Sequence, residues 1–178
     1  SVGTFFTGLP ITQAFDLYDA KYCISQRQYV PPTFNEIRHI LNLAQVIGIG
    51  PKLKLITFDG DQTLYSDGGN FQNNRELAGA IIDLLIAGVT VSVVTAAGYG
   101  LDGPKYEVRL DGLLRALENA DVDDATASRL LLLGGECNYL LRCEMRAPAP
   151  DSATGKRTAH LVAVPNEEWQ AAHIDGPK

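Results

Sequence analysis

Leu53-Lys54-Leu55-Ile56-Thr57-Phe58-Asp59-Gly60-Asp61-Gln62-Thr63-Leu64 is the stretch whose reading decides the fold. A short apolar run of strand character stops at two aspartates spaced one apart, with a threonine two residues further on. Two close carboxylates at the end of a buried strand repel each other and resist ionising together unless a cation lies between them. A hard divalent ion with oxygen ligands, Mg2+ above all, resolves that conflict. Asp59 is then the candidate nucleophile, since a carboxylate can attack phosphorus and split hydrolysis into two easier steps. Asp61 can protonate the leaving oxygen and activate water for the second step. Gly60 between them permits a tight turn. An acidic loop after a strand is the lesser alternative for the same residues when the motif stands alone.

Working outward, strands alternate with helices. Glu76–Ala87 has helical spacing of apolar residues and closes at Gly88. Val89–Thr95 is a second strand, Lys105–Leu117 a second helix of this series, and Leu130–Leu133 a third strand ending at Gly134-Gly135. This alternation implies right-handed parallel crossovers and an α/β fold with a doubly wound sheet. Ligands of such sheets bind beyond the carboxyl ends of the strands, where Asp59, Thr95 and Gly134-Gly135 fall. A hydroxyl and backbone N–H groups at Thr95-Ala96-Ala97-Gly98 suit phosphate oxygens, although a strand-end threonine also serves as a helix cap. Upstream, Thr33 and Glu36 form a capping-box pair opening a helix over about 33–47, stopped by Gly48-Ile49-Gly50-Pro51. Residues 1–30 read as an aromatic helical or extended arm. Thr158–Val164 reads as a strand and Asn166-Glu167-Glu168-Trp169 as the start of a helix.

The bulk numbers exclude whole classes. With 46% hydrophobic and 20% charged residues the chain is an ordinary globular one, not a disordered one. A net charge of -6 argues against non-specific nucleic-acid binding. Cys23, Cys137 and Cys143 are odd in number and lack metal-ligand spacing, so they read as reduced thiols. No leader pattern or long apolar span is visible, and the expected location is the cytoplasm, with no membrane partner.

Four stretches carry a resemblance: Tyr29–Asn42, Leu55–Tyr65, Val94–Tyr99 and Gly134–Leu140. Together they resemble the IMP-specific 5'-nucleotidases, members of the haloacid-dehalogenase-like superfamily, over about residues 25 to 145. The resemblance implies a Mg2+-dependent hydrolase that turns inosine monophosphate into inosine and phosphate, cytosolic and oligomeric, often tetrameric, and responsive to ATP. It matches Asp59 to the nucleophile and metal ligand, and Asp61 to the acid/base and, through its carbonyl, a second metal ligand. It matches Thr95 to the phosphate position and suggests substrate contacts at Asp67, Tyr65, Arg109 and His39. Plainer readings stay open for the last two: a solvated helix residue for Arg109, a structural histidine for His39.

The domain reading is an N-terminal helical segment over 1–50, a partial core over 51–145 and the start of an inserted cap over 146–178. Asp123-Asp124 reads as a loop or helix cap, and Lys156 as a poor match for the superfamily's later lysine. That lysine and the remaining acidic ligands are expected beyond residue 178. Two alternatives of other kinds remain: a non-catalytic module that binds nucleotide or Mg2+, and a related phosphatase or phosphotransferase with another phosphomonoester substrate.

Overall fold

The computed structural model describes residues 8–66, 69–72, 74–148, 155–165, 167 and 168. The chain divides into two compact units, Ser1–Leu53 and Lys54–Lys178.

In the first unit, α1 (Ile11–Tyr22) and α2 (Phe34–Ile49) pack through Ala14, Ile40 and Ala44, with Ile24 from the turn after α1 completing the cluster. The two alanines are fully buried, which lets the helix backbones approach closely. Helix α2 starts where the sequence indicates. Thr33 Oγ1 accepts the Glu36 amide at 3.3 Å and the Glu36 carboxylate accepts the Thr33 amide at 2.7 Å, so two helix-end donors are satisfied reciprocally. Of the apolar residues at helical spacing, only Ile40 and Ala44 are buried, whereas Phe34 is 78% exposed.

The second unit is one five-stranded sheet in sequence order: β1 (Leu55–Asp59), β2 (Thr90–Val94), β3 (Leu130–Gly134), β4 (Tyr139–Arg146) and β5 (Thr158–Ala163). The first three strands are parallel, and β4 and β5 add antiparallel. The connections between the parallel strands are α3 (Arg75–Ile86), then α4 (Gly103–Ala120) followed by the short α5 (Asp124–Ala127). Asp123 caps α5 by accepting the Thr126 amide at 2.7 Å, as its sequence position suggests.

Because the parallel strands advance in one direction, right-handed crossovers place α3 and α4 on the same face. Ile81 and Leu85 of α3 and Leu110, Leu113 and Leu117 of α4 bury against Val91, Val93, Leu130, Leu132, Leu141 and Cys143. The α/β class read from the sequence holds. Strand β4 was not foreseen, yet Leu141, Cys143 and Met145 alternate with Arg142, Glu144 and Arg146 as one buried and one open face.

Candidate functional site

The carboxyl ends of β1 and β2 lie side by side, with Asp59 paired in register to Val94. Beyond them the chain makes two loops. The first is tight: Leu64 and Tyr65 both donate to the Gly60 carbonyl, at 3.0 and 3.2 Å, and Gln62 donates to the Tyr65 carbonyl at 2.7 Å. Gln62 is held at φ 61 within it, a left-handed conformation that costs free energy for a residue with a side chain. Gly60 fits closely here, since a Cβ would come within 2.5 Å of the Tyr65 hydroxyl, forcing that side chain to shift, and 3.3 Å of the Val94 carbonyl.

The second loop begins at Thr95, which is 1% exposed. Its amide donates to Leu133 and its hydroxyl donates to the Asp61 carboxylate at 2.9 Å while accepting the Ala97 amide at 3.1 Å. One side chain therefore fastens the two loops together. Tyr65 joins them. Burial pushes its hydroxyl pKa up, as do the nearby charges of Asp61 and Asp59, while Thr95 and Arg109 pull it down. Asp59, Asp61, Tyr65 and Thr95 are thus assembled at one strand end. Among the described residues, the amides of Asp61, Ala96 and Gly98 have no hydrogen-bond partner. Open amides on such loops suit an anion.

Arg109 lies half-buried on α4 rather than simply in solvent. Its guanidinium donates to the Tyr99 hydroxyl at 3.0 and 3.3 Å and to the Gly69 carbonyl at 2.6 Å. The Tyr99 hydroxyl raises its pKa foremost, with Asp61 and Tyr65 adding to the effect. Three of its five donors are occupied in this way, so it ties the segment after the first loop to the segment after the second. Asp67 lies outside the described residues. His39 sits on α2 in the first unit, with its ring 6.2 Å from that of Tyr18.

Among the described residues no group of three or more His, Cys, Asp or Glu side chains forms a metal cluster. Asp59 and Asp61 are hard oxygen donors of the type Mg2+ takes, and they could supply part of a ligand set.

Sequence reasoning missed Tyr99 and Tyr106. Tyr99 enters the sequence reading only as the end of the Val94–Tyr99 stretch and Tyr106 only as part of the Lys105–Leu117 helix, and only the folded chain shows what their hydroxyls do.

A family model described as IMP-specific 5'-nucleotidase matches residues 1–176. Two curated relatives bear the description IMP-specific 5'-nucleotidase 1. The protein of Plasmodium falciparum is 43% identical over 169 residues, covering 95% of this chain and 35% of its own length. The protein of Eremothecium gossypii is 46% identical over 176 residues, covering 98% of this chain and 39% of its own. The chain therefore spans less than half the length of these relatives. Among solved structures, that of N-terminal truncated, IMP-bound Plasmodium falciparum IMP-nucleotidase superposes with a TM-score of 0.70 at 42% identity, covering 96% of this chain and 42% of that one. An ATP-bound structure of the same nucleotidase superposes with a TM-score of 0.69 at 44% identity, covering 96% and 37%.

Proposed function

Since the chain belongs to the family of IMP-specific 5'-nucleotidases, we propose that Asp59 and Asp61 carry out hydrolysis of inosine 5'-monophosphate to inosine and phosphate. The observation that carries this reading is the Thr95–Asp61 hydrogen bond at 2.9 Å. It joins the two strand-end loops into one site, with amides that are unpaired among the described residues beside a carboxylate pair.

In the first step an Asp59 oxygen attacks phosphorus and the bond to the nucleoside oxygen breaks. Asp61 gives that oxygen its proton, leaving an aspartyl-phosphate and inosine. In the second step Asp61 takes a proton from water as the water oxygen attacks phosphorus. Phosphate leaves and Asp59 is restored. Thr95 orients the Asp61 carboxylate through both steps, and the amides of Ala96 and Gly98 hold phosphate oxygens. Mg2+ would be held by the Asp59 carboxylate and the Asp61 carbonyl, and when bound it neutralises charge on the phosphoryl group.

The same reading takes ATP as a possible effector, in line with the ATP-bound Plasmodium falciparum structure. It further takes the protein to be cytoplasmic and to assemble as a homo-oligomer, a tetramer. Phosphate release from IMP, AMP and GMP, with Mg2+ and then with EDTA, tests the reading. Release from IMP that EDTA abolishes is expected. Equal rates on the three nucleotides overturn the substrate assignment.

A further inference from the structure

Tyr106 is fully buried on α4, on the same face as Leu110, Leu113 and Leu117. Its ring packs against that of Tyr99 with centroids 5.1 Å apart. Phenylalanine would fill this space equally well, so the hydroxyl must be explained separately. It accepts the Tyr99 amide at 3.0 Å and donates to the Ala97 carbonyl at 3.0 Å. The Ala97 carbonyl also takes the Gly135 amide at 2.9 Å. A single buried oxygen therefore closes the bend from Ala97 to Tyr99, directly after Thr95. Gly134 at the end of β3 fits around it, because a Cβ there would run into the Tyr106 hydroxyl and ring. Among the described residues, the amides of Ala96 and Gly98, on either side of Ala97, have no hydrogen-bond partner.

We propose that Tyr106 is a positioning residue for the substrate phosphate: its hydroxyl fixes the Ala97–Tyr99 backbone and so keeps the Ala96 and Gly98 amides available to phosphate oxygens. This rests on the Thr95 loop being the phosphate site. A hydroxyl that acts through backbone placement alters ground-state grip on the phosphate more than the chemical step. The Tyr106→Phe variant should therefore show a KM for IMP and an inhibition constant for inorganic phosphate both raised about five- to tenfold, with kcat within about threefold. Amide hydrogen exchange at Tyr99 should quicken by a similar factor.

Unchanged phosphate affinity in a variant whose Tyr99 amide has lost protection would make the hydroxyl merely structural and overturn the proposal. Unchanged exchange would do so as well. Should the variant not fold, exchange at Ala96 and Gly98 in the unaltered protein decides. Inorganic phosphate is expected to slow both amides, and no slowing overturns the proposal. An unaltered protein that releases no phosphate from IMP and binds none would instead sink the functional reading itself.

Discussion

The two edges of the sheet are treated in opposite ways. At β5 the outward amides of Ala159 and Leu161 donate to the carboxylates of Glu118 and Glu107, at 3.0 and 2.9 Å. Helix α4 presses on the same strand so closely that Gly103 has no room for a Cβ beside the Leu161 carbonyl. Such an edge cannot accept another strand without losing bonds it already has. At β1 the residues that bond to β2 are Ile56 and Phe58, flanked by Lys54 and Gly60. Leu55, Thr57 and Asp59 point their amides outward, and no strand among the described residues pairs there. Leu55 is 52% exposed. The open edge ends in Asp59, the nucleophile proposed above; the sealed edge carries none of the proposed site residues.

The sharpest way to break this comparison is at Asp59. Asp59→Asn keeps the volume but removes the proposed nucleophile, so phosphate release from IMP should fall by roughly a thousandfold or more while far-UV circular dichroism is unchanged. Retained turnover would strip the open edge of its chemical role. Next comes Thr95→Val, which keeps the shape and removes the bond to Asp61. A loss in kcat/KM on the order of ten- to a hundredfold is expected, and a loss below twofold would mean the two loops assemble without it.

At the sealed edge, Glu107→Ala combined with Glu118→Ala frees two amides. Urea unfolding should show a loss of about 1 kcal/mol per bond, and sedimentation should show new self-association. An unaltered midpoint would mean water replaces both carboxylates without cost. The smallest effect belongs to Leu55→Lys, within about 0.5 kcal/mol of the original stability, because the side chain is already half in solvent. A larger loss in the same urea experiment would show that the β1 edge is covered in solution.

Much of this contrast was legible in the residues. The β1 and β2 strands announce themselves by short apolar runs that end in chemistry-bearing side chains, and the Thr33–Glu36 pair marks the start of α2 because capping is a local interaction. Strand β4 was harder. Leu140 beside Leu141 blurs its alternation, and Cys143 and Met145 do not look like strand residues until Leu161 and Ala159 are seen opposite them. The roles of Tyr106 and Arg109 were out of reach for a different reason. A helix pattern shows which residues face inward. It does not show which backbone carbonyl from another segment will meet a hydroxyl or a guanidinium at the tip of one of them.

The bond between Thr95 and Asp61 joins residues 34 apart in the chain. The β1–α3–β2 connection must close before the hydroxyl reaches the carboxylate, and that closure costs chain entropy. Refolding should therefore restore helical signal first and competence toward IMP last. A partly folded chain with its first strand and helix formed would carry both aspartates and still lack a working site.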